Sequence, residues 1–523
     1  MDLEEFLHNL HFDIDKVSPT DWEVDWEDAP LPYKLYRSLP VFPLSLEVPL
    51  TLEEWEAPKQ PSLRRISHFL WYVFGLTQFS QSAFPTREQV PEISQAFRRF
   101  VPSGGALYPN ELYMYLKMED LPVGVYHYDV AHHRLICLRE GNFDSYIARA
   151  LGNRCDVSAC FGTVFVSTMF WKNFYKYNNF AYRLQGLDAG VLIGQLLEVA
   201  KRFGFASGVY FQYLDRAINH LLGLTDEEES VYAVIPLTVE TTSWFTSGGG
   251  RNELVSATEL CRELQTIQHN HYVRSKRIKE HPMLTKMNEA SMLESTQSFR
   301  QIKVREKWNG ESHVVTLPHM KRLSYDLAAV CQKRFSPDMD FIFGKVSQSQ
   351  LATLLQEAFS AFLYRNDLDE ANNKHVSRVS LYGCLNNVEG IQDGAYHYDS
   401  AEHTLRQVDL GDHRLSLQYG MSAGNVNLYQ VPLCFHVAGD KDHFISELGY
   451  RGYRIQQMEA GMLVQRLLLV ASALELGGHP LLGFDAALSD EIYKMDKHVE
   501  TSLIQIPIGP YRPRPWLNGR LQS

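Results

Sequence analysis

The sequence predicts an α+β protein in which one folding unit occurs twice in a single chain. Residues 124–141 read GVYHYDVAHHRLICLREG and residues 394–411 read GAYHYDSAEHTLRQVDLG, with nine of 18 positions identical. A second pair, residues 182–190 and 453–461, matches in the same order at nearly the same separation. Two collinear matches about 270 residues apart indicate a duplicated domain and not a short-period solenoid.

Each unit is predicted to contain both strands and helices. Residues 112–116 (LYMYL) and 163–167 (TVFVS) are rich in residues that favour strands. Residues 188–203 predict a helix, because apolar residues recur at three- and four-residue spacing before Gly204. Residues 459–474 predict its more apolar counterpart in the second unit. This mixture of elements is typical of an α+β domain.

Composition excludes several classes of protein. The 523 residues are 45% apolar and 21% charged, as in ordinary folded domains, and the net charge is -12. An acidic chain lacks the basic footprint that nucleic-acid binding needs. The most apolar helical run, residues 462–474, is too short and too polar to span a bilayer. We therefore expect neither a nucleic-acid partner nor a membrane.

The cysteines and the amino terminus suggest a cytoplasmic protein. The seven cysteines are scattered and form neither a zinc motif nor a disulfide framework, so we expect reduced thiols and no metal. The chain starts MDLEE, which lacks the basic beginning of a signal peptide.

A loop with two adjacent glycines precedes the strand at Leu112. It reads PSGGALYPNE over residues 102–111. Adjacent glycines let the backbone approach a flat or anionic ligand and expose N–H donors, although many ordinary turns look similar. We take residues 380–386 (SLYGCLN) as the corresponding segment of the second unit, and they have lost the glycine pair.

The second unit carries groups that the first unit lacks. They are KRFS at residues 333–336, LGFD at 482–485 and RPR at 512–514. The first unit has QYLD at residues 212–215 and no Arg-x-Arg after Leu237. These complementary losses predict one composite site, in which arginine forks bind a phosphate; surface ion pairs are the alternative role for these arginines.

The loop PSGGALYPNELY, the strand motif GVYHYD and the segment KYNNFAYRLQGLDAG together resemble the SagB-type, McbC-like azoline dehydrogenases of the flavin-dependent nitroreductase superfamily. The resemblance implies two tandem nitroreductase-like domains that form an intramolecular pseudo-dimer with FMN at their interface. The expected organisation is an N-terminal extension (1–62), domain 1 (63–240), a helical linker (241–320) and domain 2 (321–523). The extension is expected to wrap on domain 1.

The resemblance also assigns the residues around the cofactor. The flavin ring is expected against Pro102, Ser103, Gly104 and Gly105. The ring and phosphate are further expected to contact Arg334, Ser336, Gly483, Arg512 and Arg514. The start motif is Lys-Arg-Phe-Ser where the family more often has Arg-Arg-Ser, so the Arg334 and Ser336 assignments hold to within one residue.

Lys176 and Tyr177 are the expected catalytic residues. The dehydrogenases have a Lys-Tyr pair, and here it stands only in the unit that kept the glycine loop. Oxidation of an azoline removes a proton and a hydride, so a base is needed. Either residue would serve only if its pKa, normally about 10, were lowered.

The resemblance implies an FMN-dependent oxidase that converts peptide thiazolines or oxazolines to azoles during biosynthesis of ribosomal peptide natural products, with oxygen as acceptor. Its expected partners are an azoline-containing precursor peptide and a cyclodehydratase complex, and a homodimer of pseudo-dimers is compatible with this arrangement. The alternatives are an NAD(P)H-dependent nitroreductase or quinone reductase and a non-catalytic scaffold of the complex.

Overall fold

The computed structural model describes residues 1–19, 21–53, 61–84, 92–240, 244–245, 254–302, 313–362, 364–369, 377–513 and 518–520. In chain order, its strands are β1 (Val41–Pro43), β2 (Leu76–Phe84), β3 (Glu92–Arg99), β4 (Asn110–Met118), β5 (Leu121–Asp129), β6 (Arg134–Glu140), β7 (Gly162–Met169), β8 (Ala206–Ser207), β9 (Glu229–Thr238), β10 (Val314–Thr316), β11 (Ser380–Leu385), β12 (Gly394–Asp399), β13 (Thr404–Leu410), β14 (Leu433–Asp440), β15 (Gly477–Gly478), β16 (Glu500–Gly509) and β17 (Asn518–Arg520).

The helices of the same residues are α1 (Leu3–Phe12), α2 (Ile14–Val17), α3 (Leu63–Phe74), α4 (Asp144–Ala150), α5 (Trp171–Tyr177), α6 (Ala181–Arg202), α7 (Asp215–Leu222), α8 (Ala257–Glu263), α9 (Pro282–Ala290), α10 (Leu327–Lys333), α11 (Gln348–Phe362), α12 (Arg414–Tyr419), α13 (Ile445–Leu448), α14 (Arg451–Ala473) and α15 (Ala486–Ile492). In this part of the chain, no helix is long and apolar enough to cross a membrane.

The same seven-stranded antiparallel sheet occurs twice. The first sheet has the order β1-β6-β5-β4-β7-β9-β8, and the second has the order β10-β13-β12-β11-β14-β16-β15. One of the two edge strands of each sheet comes from outside the repeated unit. Strand β1 belongs to the N-terminal extension, and β10 belongs to the linker. The predicted α+β fold with two tandem units is therefore confirmed. The residue boundaries assigned to the four segments stay predictions.

The repeated YHYD motif is structural in both units. It lies in β5 and β12, each of which has a register shift one residue before the first tyrosine of the motif. The second tyrosine hydrogen-bonds a histidine five residues later at 2.8 Å, through Tyr128 and His133 in one unit and Tyr398 and His403 in the other. Identical contacts in both copies explain why the motif survived duplication.

Two long helices, α6 and α14, cross at the centre of the molecule and join the units. Both begin earlier than predicted, at Ala181 and Arg451, so the matching YRxQ residues are helical. The crossing is close because glycines face each other there. A Cβ atom on Gly190 would lie 2.0 Å from the Met458 carbonyl oxygen, and one on Gly461 would lie 2.2 Å from that of Leu187. Only glycine allows this backbone approach.

The segments outside the repeats pack on both units. In the extension, Trp22 donates to the Tyr175 carbonyl of domain 1 at 3.2 Å, but His11 bonds Thr501 of domain 2 at 2.8 Å. The prediction that the extension wraps on domain 1 is therefore incomplete, because the extension also contacts domain 2. The linker contains α8 and α9, yet its basic run, residues 274–279, is irregular and not helical. Asp28 accepts the backbone N–H groups of Lys276 and Arg277, which fixes this run as a loop.

The structure also corrects one correspondence between the units. Residues 380–385 form β11, which pairs with β12 as β4 pairs with β5. They are thus the counterpart of strand β4 and not of the glycine loop before it. The counterpart of the loop is the segment that ends at Val379, and residues 371–379 (ANNKHVSRV) contain no glycine. The loss of the glycine pair from the second unit therefore still holds.

Candidate functional site

A cavity of about 540 Å³ lies between the two units. Its volume falls within the range of cofactor and ligand sites, roughly 300–1,000 Å³. Domain 1 contributes the glycine loop, the end of α5 and the first half of α6, and domain 2 contributes residues 334–338, residues 479–483, α14 and β16. Nine of the predicted site residues line it, namely Pro102, Ser103, Gly104, Gly105, Lys176, Tyr177, Arg334, Ser336 and Gly483.

The glycine loop is fastened to helix α6 by Asp188. Ser103 Oγ donates to Asp188 Oδ2 at 2.6 Å, and the Gly104 N–H donates to Asp188 Oδ1 at 3.2 Å. Ser103 Oγ also accepts a hydrogen bond from the Tyr108 N–H at 2.9 Å, so the hydroxyl is both a donor and an acceptor. The expectation of free N–H donors is therefore wrong for Gly104, whose N–H binds the protein itself.

Asp188 is a buried acid in the wall of this cavity. Burial raises the pKa of its carboxyl to about 7, while the hydrogen bonds from Ser103 and Gly104 act in the opposite direction. The sequence drew attention to this residue only as part of the repeated DAG segment. Its partners lie 85 and 84 residues earlier in the chain, so no local pattern pointed to this role.

Lys176 and Tyr177 meet the glycine loop at Gly105. Gly105 has φ +64°, and a Cβ atom there would lie 2.6 Å from Tyr177 Oη and 2.9 Å from Lys176 Nζ. Both functional groups thus point at the same backbone atom, which glycine alone leaves accessible. Lys176 Nζ also lies 4.9 Å from the centre of the Tyr177 ring. The predicted catalytic pair and the predicted cofactor loop are in direct contact.

The pKa values of Lys176 and Tyr177 are shifted in opposite directions. Burial lowers the pKa of the Lys176 ammonium. Burial and the neighbouring Asp188 carboxylate raise the pKa of the Tyr177 phenol to about 12. The lysine therefore loses its proton at a lower pH than the tyrosine, which stays a protonated hydrogen-bond donor near neutral pH. Of the two candidate bases, these pKa shifts favour the lysine.

Domain 2 supplies cations to the opposite wall. The half-buried Arg334 guanidinium donates from Nε to the Phe100 carbonyl at 3.0 Å and from Nη1 to Ser336 Oγ at 3.3 Å. Burial lowers its pKa, but a guanidinium stays charged at neutral pH. Two further lining residues, Arg98 and His479, were missed by the sequence. His479 follows the short strand β15 and hydrogen-bonds the Pro337 carbonyl at 2.7 Å.

The basic tail is placed less directly. Arg512 is exposed and does not belong to the described residues that line the cavity. Its backbone N–H donates to the Asp340 carbonyl at 2.9 Å, and the neighbouring Tyr511 ring stacks at 5.6 Å on Phe335, a lining residue. Arg514 lies outside the described residues. The tail therefore approaches the cavity behind Phe335.

The position related to this cavity by the internal repeat is filled with an ion pair. Glu459 of α14 corresponds to Asp188 of α6, but it binds Arg378 where Asp188 binds the loop. Arg378 Nη2 lies 2.5 Å from Glu459 Oε1, and both side chains are buried. Tyr364 donates to the same carboxylate at 2.6 Å. The acid at this position therefore closes one site and supports a loop in the other.

The backbone around that second position is also occupied. Residues 209–212 correspond to residues 480–483, which line the cavity. Asp367 accepts the N–H groups of Phe211 and Gln212 at 2.9 and 3.0 Å, and the Val209 N–H donates to the Arg365 carbonyl. The segment after α11 thus covers the turn that would face a second ligand. The two units therefore differ in how their backbone is covered, and not only in the glycine pair and basic groups that each has lost.

All seven cysteines are free thiols in the structure. Among the described residues, no group of three or more His, Cys, Asp or Glu side chains is arranged to hold a metal ion. The side chains available for chemistry at the cavity include Lys176, Tyr177, the buried acid Asp188, His479 and two arginines.

Comparison with known proteins gives both partial and full-length matches. Residues 78–237 match the model of the nitroreductase family. Trifolitoxin-processing protein TfxB of Rhizobium leguminosarum bv. trifolii is 28% identical over 220 residues, which are 38% of this chain and 56% of TfxB. A nitroreductase-like protein of Methanocaldococcus jannaschii is 25% identical over 132 residues, which are 25% of this chain and 64% of that protein. The chain thus spans between half and two thirds of these relatives.

The full-length match is structural. The crystal structure of a nitroreductase-like protein from Anabaena variabilis has a TM-score of 0.74 with this structure, covers 98% of this chain and 99% of its own, and is 20% identical. At this identity the match shows the fold alone, but it includes both units and the linker. The predicted fold is therefore confirmed: the whole chain has a nitroreductase fold with two units, and residues 78–237 match the nitroreductase family.

Proposed function

We propose that the cavity between the units binds one FMN. The residues present fit this cofactor, because a cavity of about 540 Å³ brings the glycine loop, apolar walls and arginines together. A Cβ atom on Gly104 would lie 2.8 Å from the Leu184 side chain, so this stretch of loop is already closely packed. Apolar side chains of α6, α14 and β16 provide walls for the ring, and Arg334 with Arg98 provides positive charge for the phosphate.

We further propose that the protein oxidises thiazolines or oxazolines in a peptide to the aromatic azoles. The contact of Lys176 and Tyr177 with Gly105 is the observation that carries this proposal, because it brings a base into the cofactor cavity. Bound FMN would accept the hydride from the azoline ring and pass the electrons to oxygen. Lys176 accepts the α-proton as a neutral amine, and the protonated Tyr177 donates a hydrogen bond that orients the substrate.

The partners in this proposal are an azoline-containing precursor peptide and the cyclodehydratase complex that makes the azolines. Support comes from TfxB, whose name assigns it to trifolitoxin processing. A relative that acts in toxin processing supports a biosynthetic intermediate, and not a small nitro compound, as the substrate. The Lys-Tyr pair points the same way, because a reductase that receives hydride from NAD(P)H has no substrate proton to remove.

Mass spectrometry of a peptide that contains azolines tests the proposal. Incubation with the purified flavoprotein in air should remove about 2 Da per ring, the proton and the hydride. A yellow protein that leaves azolines intact but consumes NADH with a quinone would instead be a reductase. A colourless protein that still binds the cyclodehydratase would be a scaffold, and either result would overturn the proposed activity.

A further inference from the structure

A second, smaller cavity lies outside the flavin site and is built largely from the parts of the chain that are not repeated. Its volume is about 90 Å³, enough for one side chain and not for a cofactor. The extension contributes Pro30 and Leu31, and domain 1 contributes Trp171. The linker contributes Tyr272, Val273 and Ile278. Because most of its lining is apolar, the cavity suits an aliphatic or aromatic side chain.

The rim of this cavity exposes an unusual amount of apolar surface. The linker residues Tyr272, Val273 and Ile278 are 42%, 48% and 52% exposed. Nearby in the extension, Trp26 is 59% exposed. Single exposed apolar residues are common on proteins, but a contiguous group around a cavity marks a binding surface.

A row of aromatic rings connects the small cavity to the candidate base. Lys176 Nζ lies 5.4 Å from the Trp26 ring, Trp26 lies 6.2 Å from Tyr175, and Tyr175 lies 6.4 Å from Trp171. Trp171 in turn lines the small cavity. The path between the two sites is therefore no longer than about 18 Å, which roughly five or six residues of extended chain can span.

The surface between the two cavities is held in place before any ligand arrives. Trp171 Nε1 donates to Ser275 Oγ at 3.0 Å, and that hydroxyl donates to the Asp28 carbonyl at 2.7 Å. The Asp28 carboxylate accepts two linker N–H groups at 2.8 Å. Extension, linker and α5 are thus tied together, so a ligand would bind without first ordering a loop.

We propose that this small cavity is a docking site for the substrate peptide, where it takes a bulky apolar side chain within about six residues of the ring being oxidised. The inference rests on the proposed function, since it assumes that the ring enters the cavity at Lys176. It gives the extension and linker a role in choosing substrates, which the repeated units alone do not provide.

The test uses synthetic peptides that carry one thiazoline and either Leu or Ala at each of the third to sixth positions on either side. Ile278→Asp places a charge on the rim, and Leu415→Asp is the matched control, because Leu415 of α12 is also 52% exposed. For the wild type and the control, one Leu peptide should have a KM about tenfold or more below its Ala counterpart. Ile278→Asp should remove this difference and leave kcat unchanged.

A Leu preference that survives in Ile278→Asp, or the lack of any Leu preference in the wild type, would overturn the inference. Fluorescence anisotropy with a labelled peptide that has Ser in place of the thiazoline measures docking without chemistry. Leu-dependent docking with no oxidation of any thiazoline would reject the proposed activity and keep the docking site. Loss of cyclodehydratase binding in Ile278→Asp, with peptide docking unchanged, would assign the surface to a partner protein and overturn the inference.

Discussion

Ser103 Oγ donates a 2.6 Å hydrogen bond to Asp188 Oδ2 and thereby ties the glycine loop to the central helix α6. The same helical position in the other unit holds Glu459, whose carboxylate pairs with Arg378 instead. One acidic position therefore has two uses within one chain. Where it binds a cation the site is closed, and where it binds a hydroxyl and an N–H the loop borders an open cavity.

Asp188→Asn should stabilise the protein, and more so at high pH. Because burial raises the folded-state pKa of Asp188 from 3.8 to about 7, ionisation in this range opposes folding, and wild-type stability falls as the pH rises through it. The amide does not titrate; its oxygen can accept the Gly104 N–H, and its NH2 group can donate to Ser103 Oγ in the reverse direction. Between pH 5 and pH 8 the advantage of the variant should grow by on the order of 2 kcal/mol. Denaturant unfolding at both pH values measures it, and an equal advantage at both would contradict the raised pKa.

Gly105→Ala should damage catalysis more than flavin binding. The new methyl group would meet Tyr177 Oη at 2.6 Å and Lys176 Nζ at 2.9 Å, so the pair must move away from the loop. Azole formation should fall tenfold or more, since small displacements of catalytic groups cost that much. Gly390→Ala is the matched control, because Gly390 has φ +70° with nothing within 4 Å of its Cβ position. Equal losses in both variants would show that backbone strain alone is responsible.

Lys176→Ala and Tyr177→Phe should both lose azole formation, by about 10²–10⁴-fold for the base, while the protein stays folded and yellow. Since burial lowers the pKa of Lys176, wild-type kcat/KM should rise with pH and level off below the ordinary lysine pKa of 10.5. This rise with pH should persist in Tyr177→Phe, because the phenol acts as a hydrogen-bond donor and not as the base. If the rise of kcat/KM with pH disappears in Tyr177→Phe, the tyrosine is the base. Near-wild-type turnover in both variants would reject the assignment of Lys176 and Tyr177 as catalytic residues.

The protein should bind one FMN per chain. The glycine loop is present in domain 1 only, and the related position in domain 2 is closed by the buried Arg378–Glu459 pair. Flavin released by denaturation and quantified against protein concentration should approach a ratio of one. A reproducible ratio of two would show that the closed position opens to a ligand.

Charge reversal in the basic tail should weaken flavin retention. If the tail binds the phosphate as the resemblance implies, Arg512→Glu combined with Arg514→Glu removes charge-assisted bonds worth roughly 1.5–3 kcal/mol each and adds repulsion toward a phosphate. The flavin dissociation constant, measured by fluorescence, should therefore rise at least tenfold. Arg64→Glu, on the exposed face of α3, is the control. If retention is unchanged, Arg334 and Arg98 suffice for the phosphate.

The sequence predicted the parts of the site that short motifs describe. The repeated strand motif, the glycine loop and the Lys-Tyr pair are each contiguous, and the fold places the last two in contact. It did not predict that Asp188 holds the loop, because its partners are distant in the chain. It also misjudged residues 380–386, because their Leu-Tyr pair resembles both residues 107–108 of the loop and residues 112–113 of the strand.

The irregular segments were the least predictable. Residues 274–279 belong to the segment expected to be a helical linker, but hydrogen bonds from their backbone to Asp28, about 250 residues away, fix them as a loop. Such a contact depends on the folded arrangement of two segments, neither of which contains a repeated motif. For the same reason, the sequence did not predict the small cavity that these segments form.

The glycine crossing of α6 and α14 also bears on how the two halves can evolve. In a protein assembled from identical subunits, each substitution appears at every copy of the site, so one copy cannot be given up without harming the other. Here the halves are covalently joined, and their effective concentration does not fall when the protein is diluted. Each half could therefore specialise independently, one retaining the loop and Lys176 and the other Arg334, without losing the cavity that they share.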